Sequence, residues 1–496
     1  MQKQPSLKKN FIMNAFLASS TFLFPLITFP YASRVLLPVG TGKVSFATSL
    51  IAFFNRFAQL GIPVYGIRVC AQVRDDKTKL TRTAHELLFI NLIMSGITYL
   101  LLFYAITFVP RLKNEKSLFL LMSTTILLTS VGMEWLYKSL ELYGYITVRS
   151  VVFKAIAVVA MFFLVRGTGD YVIYGGISIF AVSASNILNL FHAHRYIGFR
   201  PVGNYNLKRH LKPVTVFFAM AGATIVYTGL DEVMLGFMTT DTDVGYYHAA
   251  IRVKMLLVSL VTSLSAVLFP RASYYLEQGN REGFRNITLK SIRFIITAAT
   301  PLSVYFIIFA RHGVLLLSGS AFLPSVHPMQ ILMSTLLIIG LSEIMNLQVL
   351  VPSGKEKVVL YARIAGAVVD LCLNAMLIPR LHAIGAAIGT VIAELVVLVI
   401  QYMTLNGEFS DMFRKVRFAH VLCGIVIAGM VSAPVNLLNY GSILTLGISS
   451  ILFFGVYAAF MLWRKDDTAW EIVHSMHRMF KKKKEKESGR NLKHDG

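Results

Sequence analysis

The chain is short of the residues on which secreted and catalytic soluble folds depend. Cysteine occurs only as Cys70, Cys372 and Cys423, each in or at the end of an apolar stretch. With no paired spacing in any polar loop, neither a disulfide framework nor a structural zinc site is supported. Acids are scarce, 25 Asp and Glu against 48 Lys and Arg. The histidines include no His-Glu-x-x-His, and no two carboxylates are spaced for acid and base roles in a polar cleft, so an enzyme is not expected. Gly40-Thr41-Gly42-Lys43 lacks the spacing of a phosphate loop. Long polar segments are missing too: the longest, about 191–213 and 270–288, are too short to hold a core of their own. No cofactor or metal is predicted.

What the chain has is apolar length. It is 55% hydrophobic, and its apolar runs reach the roughly 20 residues that cross about 30 Å of hydrocarbon as helix. Fourteen spans are predicted, at approximately 10–33, 44–67, 84–109, 117–137, 145–165, 170–191, 214–238, 246–269, 289–310, 328–351, 358–379, 384–405, 418–438 and 442–463. The cations between them fall on alternate loops. One set of loops holds only Arg34, Lys43, Arg111, Lys113, Lys116, Arg166, Arg311 and Arg380, so the positive-inside rule places both termini in the cytoplasm. Although the net charge is +23, the cations flank span ends instead of gathering on one polar domain. Membrane lipid headgroups, not nucleic acid, are the expected partner. The first span follows Lys8 and Lys9 and is too long for a signal-peptide core.

The predicted fold is therefore an all-α polytopic membrane protein, with two six-helix lobes and two additional C-terminal helices. Residues 1–195 form the N-terminal lobe, 196–213 a cytoplasmic linker, 214–405 the C-terminal lobe, 406–463 the two added spans and 464–496 a basic cytoplasmic tail. A short repeat supports two halves: Gly42 to Ala47 opens span two, and Gly245 to Ala250 opens span eight with the same spacing, 203 residues on. Paired six-helix halves are a common transporter plan, with the substrate path between them. Pro25 and Pro30 should bend span one, and Gly385 and Gly389 should allow close packing at the start of span twelve. Trp470, Val473, Met476 and Phe480, followed by Lys481 to Lys484, give the tail either an amphipathic membrane-lying helix or a solvated topogenic role.

Ionisable residues inside spans carry the functional expectation. Arg56, Lys154, Arg252, Lys254 and Arg293 lie within apolar runs, and each would cost about 2.5–3.5 kcal/mol at a helix centre if it faced lipid. Arg293 can reach the cytoplasmic interface by snorkelling. The others, with Arg34 at the outer end of span one, are read as substrate-binding cations lining a wet interior that attracts an anion. Pairing with buried acids is the alternative, and Asp231 is close in depth to Arg252. Of the mid-span acids Asp231, Glu134, Glu343, Asp370 and Glu394, the ion-coupling candidates are Asp231, Asp370 and Glu394, because a buried carboxylate can exchange a proton as its surroundings change.

Pro30-Tyr31-Ala32-Ser33-Arg34-Val35-Leu36, Ser45-Phe46-Ala47, Leu60-Gly61-Ile62-Pro63-Val64-Tyr65-Gly66-Ile67-Arg68 and Val73-Arg74-Asp75-Asp76-Lys77 resemble the N-terminal signature of Wzx-type polysaccharide flippases. Asp231-x-Val233-Met234-Leu235-Gly236, Val244-Gly245-Tyr246-Tyr247-x-Ala249-Ala250 and Leu268-Phe269-Pro270-Arg271 resemble the second-lobe signature of that family, and the likeness weakens after about residue 410. The resemblance implies a fourteen-helix transporter related to multidrug and toxin extrusion proteins and lipid II flippases. Its implied cargo is an undecaprenyl-pyrophosphate-linked oligosaccharide, moved to the outer leaflet of a bacterial cytoplasmic membrane for O-antigen, capsule or exopolysaccharide assembly. A monomeric transport unit, with polysaccharide polymerase and glycosyltransferases as partners, is implied as well. Within that pattern Arg34 and Arg56 match the first-lobe cations, and Arg252 and Lys254 the second by position. The alternatives are a cation-coupled exporter of amphipathic compounds and a non-transporting scaffold for polysaccharide enzymes.

Overall fold

The computed structural model describes residues 7–405, 411, 412, 414, 416, 418–438, 440–465 and 470, without the side chains of 7–9, 11, 22, 219–228, 264 and 266. The predicted tail series and Lys481 to Lys484 therefore lie outside the described residues, apart from Trp470. Every regular element among the described residues is helical, and eleven are long and apolar enough to cross a membrane. Two of the longest contain a turn. Leu7–Gln59 carries spans one and two and leaves helical geometry at Leu37, φ 58°. The reason is local, since Pro38 follows and a residue before proline is disfavoured in the right-handed helical region. Pro25 and Pro30 remain inside the helix. Glu356–Thr404 carries spans eleven and twelve and turns at His382, φ 51°.

Span three shows how the chain is solvated. Along Lys77–Phe108, Leu100, Leu101, Phe103, Tyr104 and Phe108 are all at least half exposed, while Glu86, Asn91, Ser95 and Thr98 are buried. In water such an outer face would drive aggregation. Hydrocarbon outside and small polar residues between helices are the arrangement of a membrane bundle, and the chain is a multi-pass membrane protein. Asp76 caps this helix, accepting from the backbone N–H groups of Thr78 and Lys79 at 3.0 Å.

The residues cluster into two compact units. The first holds 1–250, 317–328 and 363–390, and the second holds 251–316, 329–362 and 391–496. In the first unit one core joins spans two to four through Ile62, Leu87, Trp135 and Leu136. A second lies between span one and spans five and six, around Ala32, Leu36, Ala157 and Met161. The second unit is cored by Ile292, Ile295, Ile296, Phe309, Ile344 and Phe453.

In the first unit the two repeat copies meet. A Cβ on Gly42 would lie 1.7 Å from the Asp241 carbonyl oxygen and 2.9 Å from the Gly245 nitrogen, and one on Gly245 would lie 2.1 Å from the Pro38 carbonyl oxygen. Only glycine permits that crossing. The expected close packing at span twelve is also present, with the Gly385 position 2.6 Å from Leu377 backbone and the Gly389 position 2.4 Å from Asn374 Oδ1.

Candidate cation cavity and buried acid cluster

Arg56 sits in the last turn of the span-two helix and is exposed to a cavity of about 320 Å³. Asn55, Gln59, Thr129 and Phe218 share the lining, and Arg56 is the one charged residue among the lining residues. Asn55 Oδ1 is buried without a hydrogen-bond partner among the described residues. Gln59 is anchored by donating to Ser130 Oγ at 2.9 Å, which in turn lies 2.8 Å from Ser95 Oγ. A guanidinium beside amides and a hydroxyl, with no acid in the wall, is equipped to hold an anionic oxygen cluster.

The other predicted cations have different surroundings. Arg34 is exposed, donates to the Pro30 carbonyl at 2.6 Å and stacks its Cγ beside Gly319. Lys154 is buried, and its Nζ donates to Ser20 Oγ of span one at 2.9 Å. It therefore points into the bundle, not into lipid. Arg252 and Lys254 are half-buried in the second unit. Arg34, Arg56 and Lys154 share the first unit but have separate immediate partners.

Asp231 is held at the centre of a polar cluster. Tyr247 Oη donates to its Oδ2, Thr390 Oγ1 donates to the same oxygen at 2.9 Å, and Asn374 Nδ2 donates to Oδ1 at 2.8 Å. These three donors are neutral. Asp370 and Asn374 are both buried. Asn374 Oδ1 has no hydrogen-bond donor among the described residues, and it converges with Asp370 Oδ1 on the space above Gly389. Spans seven, eight, eleven and twelve thus meet around two carboxylates and the Asn374 amide oxygen. Glu394 lies one helical turn beyond Thr390 and belongs to the second unit.

Three buried polar groups escape a reading by span position. Arg149, near the start of predicted span five, lies inside the Tyr143–Leu164 helix and donates to the Ser185 carbonyl at 2.7 Å and Asn186 Oδ1 at 3.2 Å. Glu86 is fully buried and accepts from the Asn206 backbone N–H at 2.7 Å, Arg209 Nη2 at 2.5 Å and His210 Nε2 at 2.8 Å. Glu232 and His248 form a pair at 2.7 Å, each side chain only 13% exposed. The signal for that pair was the 203-residue offset, since Ser45, 203 residues before His248, is its contact.

This architecture defines a class. Over 92% of this chain and 99% of the other, it matches the structure titled "Lipid II flippase MurJ, inward closed conformation" with a TM-score of 0.72 at 14% identity. It also matches an inward-facing multidrug resistance MATE transporter of the MOP superfamily, with a TM-score of 0.62, covering 79% and 95% of the two chains at 14% identity. The fold is the helical plan of those membrane proteins.

Within that class, residues 7–276 match the family model described as "Polysaccharide biosynthesis protein". This is more than half of the chain, which belongs to that family. It is 24% identical over 406 residues to a protein of Escherichia coli K12 named "Putative O-antigen transporter", covering 81% of this chain and 97% of the relative. A Shigella dysenteriae protein of the same name is also 24% identical, covering 80% and 99%.

Proposed function

We propose that this protein is a flippase for undecaprenyl-pyrophosphate-linked oligosaccharides, working by alternating access in the bacterial cytoplasmic membrane. The observation carrying this reading is the Arg56 cavity, whose lining offers a guanidinium, amides and a hydroxyl but no carboxylate, in a chain of the polysaccharide biosynthesis family. The names of its relatives and the flippase fold support the same direction. Sugar hydroxyls cannot cross hydrocarbon unaided, because each unpaired one costs a few kcal/mol. A polar interior path removes that barrier while the lipid tail stays in the bilayer.

In this reading Arg56, with Arg34, Lys154, Arg252 and Lys254, provides the positive charge met by the pyrophosphate, and no bond is made or broken. Fourteen crossings with both termini inside are proposed: the kinked Leu7–Gln59 and Glu356–Thr404 elements supply two each, and Lys208–Met238 supplies span seven. Asp231, Asp370 and Glu394 are the proposed ion-coupling residues. At Asp231 and Asp370 the spare Asn374 oxygen supports binding of a proton or a small hard cation, for which oxygen donors are suited. An exporter of cationic drugs would favour acids in the cavity wall, which the Arg56 lining does not have.

Replacing Arg56 and Arg252 together by Ala tests the reading. A charge-assisted hydrogen bond contributes about 1.5–3 kcal/mol, so surface polysaccharide at matched protein level should fall by about tenfold or more. The thermal midpoint should stay unchanged for Arg56→Ala alone, because no acid in the cavity wall depends on it. Wild-type polysaccharide output from the double variant would overturn the cavity model.

A further inference from the structure

Where the two repeat copies cross, equivalent positions touch. Ser45 Oγ lies 2.6 Å from His248 Nδ1, a pair separated by the same 203 residues as Gly42 and Gly245. The same imidazole nitrogen is 2.7 Å from Glu232 Oε1, and Ser49 donates to Glu232 Oε2. A carboxylate only accepts, so Nδ1 carries the hydrogen and shares it between the acid and the hydroxyl oxygen. The edge of Phe29 closes over the imidazole, with ring centroids 5.6 Å apart. Hydroxyls of span two, an acid of span seven and a histidine of span eight thus form one small knot.

Neighbouring residues divide the work. Asp231 bonds with Tyr247, Asn374 and Thr390 of spans eight, eleven and twelve, whereas the next residue, Glu232, bonds toward span two. Likewise Tyr247 serves the Asp231 cluster and His248 the knot. We propose that Glu232 and His248 form a proton-binding site that ties span two to spans seven and eight, and that loss of the Glu232 charge lets the outer ends of these spans part. The proposal rests on the flippase reading, which requires such an opening.

The physical reason is the strength of charge-assisted hydrogen bonds. Ionised Glu232 draws both the Ser49 hydroxyl and the His248 N–H, and bonds to an ionised acceptor are about twice as strong as neutral ones. A protonated carboxyl weakens both and brings a competing donor. Span two presents hydroxyls to the pair, and span one presents Phe29 and, at its end, Arg34. Span seven adds Asp231, directed elsewhere, and span eight adds Tyr247 and, one turn on, Arg252. Nearby, Arg111 pairs with Asp241 at 2.5 Å, and His382 Nδ1 lies 3.2 Å from Asp243 Oδ2.

Spin labels at position 39, just before span two, and position 238, at the end of span seven, both exposed in the first unit, would report the outer separation. The full chain, with Cys70, Cys372 and Cys423 replaced by Ala, would be placed in lipid nanodiscs and its label-to-label distances measured from pH 8.5 to 5. The wild-type distribution should gain a longer component as pH falls. Glu232→Gln should show that component at every pH, and Glu232→Asp should recover the response. Ser45→Ala with Ser49→Ala keeps both titratable groups and should raise the longer component while retaining the response. A wild-type distribution that ignores pH, or a Glu232→Gln distribution that responds as wild type does, overturns the proposal. The measurement needs no cargo, so failure of the transport reading would register only in the polysaccharide assay.

Discussion

Span two carries two polar regions about 13 Å apart, and they treat their polar groups in opposite ways. At Ser45 and Ser49 every hydroxyl has a partner: Ser45 has His248, and Ser49 has Glu232. At Asn55 and Arg56 the amide oxygen has no hydrogen bond among the described residues, and the guanidinium faces an open cavity with no acid among its lining residues. One helix therefore bears a saturated region and an unsaturated one. Buried polar groups cost free energy unless bonded, so saturation marks a joint between helices. Unsaturation marks a place left for water or a ligand. The difference sorts mid-membrane polar residues into two kinds, which composition alone cannot do.

The largest effect should come from breaking the joint where it is tightest. Gly42→Val puts side-chain atoms where the Asp241 carbonyl now sits, 1.7 Å from the first added carbon. Overpacking a core by a side chain typically costs about 1–3 kcal/mol and occasionally more, and here the obstacle is backbone, which cannot rotate away, so the loss should exceed that range and that of any single ion pair. The folded yield and thermal midpoint should fall sharply in Gly42→Val, and likewise in Gly245→Val, while Gly96→Val, with nothing within 4 Å, stays near wild type. Equal midpoints for all three would show that the repeat crossing is not close.

How much of this was legible beforehand follows the same division. The apolar runs, the alternating cations and the flippase signature led to a membrane bundle, because lipid imposes its pattern on every span. Arg56 stands out in the sequence as a cation well inside an apolar run, and it lines a cavity. The saturated regions were obscure. Arg149 stands near the start of a predicted span, where a cation reads as an interfacial flank, and its partners Ser185 and Asn186 are 36 and 37 residues away. Glu232 was hidden beside Asp231, and nothing local tells that adjacent acids serve different helices. Partners brought together by folding leave no mark in spacing, except where a repeat ties them, as with Ser45 and His248.

An intermediate effect is expected at the linker. Glu86 is fully buried while its partner Arg209 is 46% exposed, so this ion pair is part joint and part surface. Breaking a buried pair costs about 3–5 kcal/mol, and water at Arg209 should bring the loss toward the lower end. Glu86→Ala strands His210 and the Asn206 N–H as well. Its thermal midpoint should therefore drop by more than that of Glu141→Ala, whose bond to Arg74 joins two side chains about one-third exposed, where exposed pairs contribute about 0.2–1 kcal/mol. Equal losses would mean that the linker is not anchored through Glu86.

The smallest effect belongs to a half-exposed cap. Asp76 receives the backbone N–H groups of Lys79 and Thr78, and the Lys79 bond most of all holds its carboxyl below the ordinary 3.8. A folded-state value lower than the unfolded one means the unfolded chain binds more protons as pH drops. The cap's contribution is therefore complete above about pH 4 and lost as pH falls through the depressed value. Asp76→Asn keeps an acceptor for the N–H groups but removes the titration. Near pH 7 its thermal midpoint should sit close to wild type, and the gap should shrink further in acid, where both side chains are neutral. A variant that instead loses stability strongly at pH 7 would show that the Asp76 charge, and not just its oxygen, holds the start of span three.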